Sequence, residues 1–118
     1  MGQREEMPVV YVCSPLIRGD IRKNIENAKK YCLSVYEQGC IPIAPHLLFT
    51  QFLDDENEKE RENAMKMDIE LLHRCDEMWV FAENGISIGM AHEIEAAGRE
   101  GMEVRYIGEK EQKSKSGN

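Results

Sequence analysis

Short apolar runs of strand length alternate with segments of helical period, and that alternation constrains the fold more than any other feature. The strand-like runs are Pro8 to Cys13 (PVVYVC), Cys40 to Ala44 (CIPIA), Asp76 to Ala82 (DEMWVFA) and Val104 to Ile107 (VRYI). Each is rich in β-branched or aromatic residues and is bounded by turn residues. Between the first two, Ile21, Ile25, Ala28, Cys32, Val35 and Tyr36 recur at three- and four-residue spacing. Asp20 is placed to cap that helix and Gly39 to end it. A second helix is predicted from about Asn57 to His73 and a third from Ile88 to about Arg99. Alternating strands and helices imply a parallel sheet covered on both faces. The expected fold class is therefore α/β, a Rossmann-like or flavodoxin-like three-layer sandwich with a small parallel sheet of four to five strands. Pro42 cannot donate to a ladder, so the second strand is expected at an edge.

A chain of 118 residues is one domain on the usual size scale. Residues 1–107 are assigned to it, and the polar Lys/Ser-rich tail, 108–118, is expected to be disordered. The net charge of −7 argues against a polymeric nucleic acid as partner. It permits a small anionic ligand held by local amides and one Arg. No apolar run has the length of a membrane span, and Met1 to Met7 lacks the apolar core of a signal peptide. Cys13, Cys32, Cys40 and Cys75 form no CxxC pair. They are read as reduced thiols of a cytoplasmic protein. Zinc held by these cysteines with help from His46 and His73 is set aside, because the ligand spacing is wrong for it.

Ligands of such sheets sit beyond the carboxyl ends of the strands, near the point where strand order reverses. Three loops meet that condition: Cys13 to Asp20, Pro45 to Asn57, and Glu83 to Gly89. In the third, Gly89 and Ala91 are small enough for a ligand to approach a helix start, whose free amides favour an anion. Ser87 adds a hydroxyl. Glu93 lies one turn beyond Gly89 on the same side. Asp68 sits on the apolar face of the second helix, an expensive place for an acid without a partner. It either caps a neighbouring loop or opens into the same cleft as Glu93. Two carboxylates around one small cavity are what glycosyl transfer requires. In the first loop, Ser14, Arg18 and Gly19 suit a phosphate or carboxylate. Asp76 is read as a turn residue, Trp79 as core, and His46 and His92 as packing or surface histidines. The acidic stretch Asp54 to Glu62 reads as a solvated loop and first helical turn, and Pro45 to Phe52 as a loop with about one helical turn.

Three stretches together resemble the nucleoside 2-deoxyribosyltransferase-like superfamily, which includes nucleoside 5′-monophosphate N-glycosidases and small phage and bacterial relatives. They are Tyr11-Val-Cys-Ser-Pro-Leu-Ile-Arg18-Gly19, Met67-Asp68-Ile-Glu-Leu-Leu-His-Arg-Cys-Asp76 and Ser87-Ile-Gly89-Met-Ala91-His-Glu93. The resemblance implies that Glu93 is the nucleophile at the anomeric carbon. It implies that Asp68 contacts the sugar and assists base departure, and that Tyr11 stands beside the nucleophile. Ser87 falls where the monophosphate hydrolases carry a phosphate-binding serine, and Arg18 and Gly19 would help hold that phosphate. Ala91 replaces the family's second glycine, and Ser14-Pro15 stands where many members have Gly-Ser, so one amide donor is lost at Pro15. The expected activity is N-glycosidic bond cleavage or base exchange on a (deoxy)nucleoside 5′-monophosphate. No metal or organic cofactor is expected, and a homodimer or higher homo-oligomer is. The competing expectations are a non-catalytic nucleotide-binding or sequestering module and a purely structural interaction domain.

Overall fold

A computed structural model of the chain describes residues 6–15 and 20–108. Arg18, Gly19 and the tail beyond Gly108 lie outside the described residues. The elements run β1 (Val9–Cys13), α1 (Ile21–Glu37), β2 (Ile41–Ile43), α2 (Pro45–Phe49), α3 (Glu58–His73), β3 (Glu77–Phe81), α4 (Ile88–Arg99) and β4 (Glu103–Ile107). The strands form one four-stranded parallel sheet in the order β2-β1-β3-β4. The protein is thus an α/β sandwich of the Rossmann-like kind. β2 lies at an edge, where Pro42 interrupts no inner ladder.

Strand alternation divides the core in two. Tyr11, Cys13, Met78 and Val80 face Leu72 of α3 and Met90, Ala96 and Ala97 of α4. Val10, Val12, Trp79 and Phe81 face Tyr31 and Val35 of α1. The chain steps from β1 to β2 in one direction and from β2 past β1 to β3 in the other. Crossovers of one hand then place α1 on one face and α3 and α4 on the opposite face. The reversal falls between β1 and β3, so the carboxyl ends of these two strands mark the ligand edge.

The caps follow the local sequence. Asp20 accepts a hydrogen bond from Lys23 N, Asn57 from Glu60 N and Ser87 from Met90 N. Gly39 takes φ +84° just past α1, a conformation that a side chain resists. Asp76 anchors the start of β1: its Oδ2 accepts from Val9 N at 2.7 Å, and its own N–H donates to Val9 O at 2.7 Å.

One expectation is corrected. Ile21 and Tyr36 do not join the buried face of α1, being 42% and 64% exposed. Tyr31 takes the core position, three residues after Ala28 and four before Val35. Its ring stacks on Phe81 with centroids 4.3 Å apart, and its hydroxyl donates to Glu83 at 3.0 Å. The segment after β2 is a short helix started by Pro45, with Phe49 buried beneath it.

These assignments set a stability contrast. Leu72→Ala empties a fully buried site and is expected to cost about 2–5 kcal/mol by urea denaturation. Tyr36→Ser, on the exposed face of α1, is expected to stay within about 0.5 kcal/mol of the parent.

Candidate active site

Four elements deliver polar side chains to one place. Tyr11 comes from the middle of β1 and Glu93 from the second turn of α4. Asp68 comes from α3, and His46 from the first turn of α2. Tyr11 is fully buried, while Asp68 and Glu93 are each only 6% exposed. Tyr11 donates its hydroxyl to Glu93 Oε2 at 2.9 Å. His46 Nδ1 lies 3.8 Å from Asp68 Oδ2, and its Nε2 lies 4.0 Å from Glu93 Oε2. One atom from each of His46, Asp68 and Glu93 falls within 4.8 Å of the others. Among the described residues, Asp68 Oδ1 and Glu93 Oε1 are buried with no hydrogen-bond partner.

The electrostatics follow from this packing. Burial pushes the Asp68 carboxyl up to about 8, and the neighbouring charge of Glu93 adds to the shift. Burial also raises Glu93, to about 7, against the opposing hydrogen bonds from Tyr11 and Cys13. The Tyr11 phenol is held protonated by burial and then by the charges of Glu93 and Asp68. The Cys13 thiol is pushed up by burial and by Glu93. Its Sγ also lies 3.9 Å from Met90 O, which fits it under the first turn of α4. Burial lowers His46, and the charge of Asp55 only partly offsets this, so the imidazole tends to be neutral. A neutral ring set between two acids can take a proton from one and return it to the other.

The predicted trio of Tyr11, Asp68 and Glu93 is therefore brought together. Asp68 does open toward Glu93. Ser14 is buried at the end of β1, and Ser87 caps α4 through the same hydroxyl that was expected to meet a ligand. Gly89 and Ala91 lie exposed on the first turns of α4, and a Cβ added at Gly89 would meet only Ser87 Oγ, at 4.0 Å. His92 points to solvent. The residue underrated from sequence is His46. Its signal was position alone: it comes three residues after the second strand, on one of the three segments at the ligand edge.

Residues 8–107 match the model of a protein family described as Domain of unknown function (DUF7768). The chain belongs to that family. No curated protein matches it. Among solved structures, a 2-deoxyribosyltransferase from the psychrotolerant bacterium Bacillus psychrosaccharolyticus is similar, with a TM-score of 0.64 and 19% sequence identity. The match covers 83% of this chain and 70% of that one. At such identity the likeness establishes a shared fold. Among the described residues, no helix is long and apolar enough to cross a membrane.

The buried acids oppose folding in a way that can be measured. Asp68 titrates near 4 when unfolded and at about 8 when folded, so the folded state holds the extra proton. Stability is then greatest below the unfolded value and falls as pH rises through the folded one. Asp68→Asn removes that fall. In metal-free buffer, its melting temperature is expected to match the parent near pH 4 and exceed it near pH 8, by the equivalent of about 1–3 kcal/mol.

Proposed function

We propose that the protein breaks, or exchanges, the N-glycosidic bond of a (deoxy)nucleoside 5′-monophosphate, with Glu93 as nucleophile. The observation that carries this reading is the hydrogen bond from Tyr11 to Glu93. It fixes the carboxylate through Oε2 and leaves Oε1 buried without a hydrogen-bond partner among the described residues. Oε1 attacks the anomeric carbon, a C–O bond forms, and the C–N bond to the base breaks. The base leaves with the bonding pair and takes a proton from Asp68, whose burial favours the protonated acid. His46 returns that proton from the incoming acceptor. Water as acceptor gives hydrolysis, and a second base gives transfer. Both begin from the same glycosyl-enzyme, as in other retaining carboxylate chemistry.

The 5′-phosphate is assigned to the first loop and the start of α4. Ser14, Arg18, Gly19, Ser87, Gly89 and Ala91 are the residues proposed to contact substrate there. A helix start with small residues and a hydroxyl is suited to an anion. The 2-deoxyribosyltransferase likeness supports a nucleoside-type ligand, and the phosphate rests on Ser87 and Arg18. Four free thiols fit a reducing, cytoplasmic setting. A homodimer or larger assembly is also proposed. Leu48, Phe52, Met65 and Ile88 offer it exposed apolar surface.

Incubation with a panel of ribo- and deoxynucleoside 5′-monophosphates, followed by chromatography, is expected to show free base. Glu93→Ala should lower the rate by at least about a thousandfold. Asp68→Asn should lower it by about 100- to 10,000-fold. Tyr11→Phe should cost about 10- to 100-fold, the worth of one hydrogen bond to a charged group. Tight nucleotide binding with no base released from any member of the panel would instead mark a sequestering module.

A further inference from the structure

The same cluster has a second chemical capacity, set by its charge and by its donor types. Two acidic side chains lie together almost out of water, and the polar group the structure sets between them is the His46 imidazole. Each acid keeps one buried oxygen without a hydrogen bond among the described residues. Such oxygens are costly unless something positive meets them. A dication balances two carboxylates in full. The imidazole nitrogen selects within that class, because Mg²⁺ and Ca²⁺ take oxygen ligands whereas Zn²⁺ accepts nitrogen with oxygen.

The geometry is close to what such an ion needs. Zinc holds imidazole and carboxylate donors at about 2.0–2.2 Å, so donors on a tetrahedral ion stand about 3.4 Å apart. The three donor atoms here are already within 4.8 Å of one another. Side-chain torsions of Asp68 and Glu93 can close the difference of about 1–1.5 Å without moving a helix. Glu93 Oε2, which lies 4.0 Å from His46, also accepts the bond from Tyr11. That bond would also orient the ligand, as outer partners of metal ligands commonly do.

We propose that His46, Asp68 and Glu93 bind one divalent transition-metal ion of the zinc class, and that the bound ion closes the site to substrate. The ion is a ligand that blocks the site and has no part in the reaction. The Glu93 carboxylate is committed to the metal and cannot attack a sugar. Only the blocking half rests on the glycosyl-transfer reading. The binding half stands on the cluster alone.

The test uses the full chain stripped with EDTA and dialysed, with ZnCl2, CoCl2 and MgCl2 as probes. Competition against a chromophoric chelator is expected to show one tightly held Zn²⁺ per chain, undisturbed by excess Mg²⁺. Asp68→Asn and His46→Gln, which alter different helices, are each expected to weaken it by at least about 10-fold. Co²⁺ bound to the parent protein should give the visible bands of a low-coordinate nitrogen and oxygen site. A thiolate charge-transfer band in the near ultraviolet would assign the ion to the cysteines and overturn the proposal, whether or not the variants fold. So would absence of Zn²⁺ binding, or equal binding by the parent and both folded variants. In parallel, equimolar ZnCl2 should abolish base release from nucleoside monophosphates and EDTA should restore it. Zinc bound through this cluster with turnover unchanged would overturn the blocking half. Zinc binding by a stripped protein that releases no base would sink the glycosyl-transfer reading and leave the metal site standing.

Discussion

The hydrogen bond from Tyr11 to Glu93 joins the inner strand β1 to α4 at the one place where the core is ionisable. Its donor is fully buried in the middle of the sheet, so its position is fixed by the strand ladders on both sides. Glu93 is thereby held at a definite height under the carboxyl edge, with one oxygen satisfied and the other without a partner among the described residues. A carboxylate placed this way is poorly solvated and well oriented, the combination that preorganised sites use. Asp68 and His46 are arranged around that fixed point from α3 and α2, and the polar cluster takes the place of apolar contacts that would have stabilised the core more. A buried network that is only partly satisfied destabilises a fold. Its presence at the topological switch point fits the function proposed for it.

Much of this was legible in the chain itself. The strand and helix order followed from period, and Pro42 correctly marked an edge. Asp68 stood out because an acid on an apolar helical face contradicts its surroundings, and such local conflicts collect at functional sites. Glu93 and Tyr11 were singled out through spacing and resemblance, and the folded chain brings both against Asp68. What was not legible depended on tertiary packing. Tyr31 and Tyr36 are equally apolar and both sit near one helical face. The choice between them is made by Phe81, 50 residues after Tyr31, which offers a ring to stack on. His46 carried no periodic signal, since it belongs to a helix of five residues that starts at a proline. Its importance appears only when α2 is folded against α3.

The acidic stretch before α3 also gains a role from the fold. Asp54 N–H donates to Glu60, Glu56 N–H donates to Asp54, and Glu60 N–H donates to Asn57, so the loop is held by two of its own carboxylates and the Asn57 amide. Asp55 within it raises the proton affinity of His46 against the effect of burial. Chemistry at the sheet edge is thus influenced from a segment that reads, in isolation, as a solvated surface run.

The central claim is covalent attack by one named oxygen-bearing side chain, and intact-mass spectrometry tests it directly. A 2-fluoro sugar analogue of a deoxynucleoside monophosphate slows breakdown of a glycosyl-enzyme by withdrawing electrons from the anomeric carbon. After acid quenching and peptide mapping, the account predicts one glycosyl phosphate adduct, located on Glu93. An adduct on another residue, or base release with no adduct at any time, would contradict it.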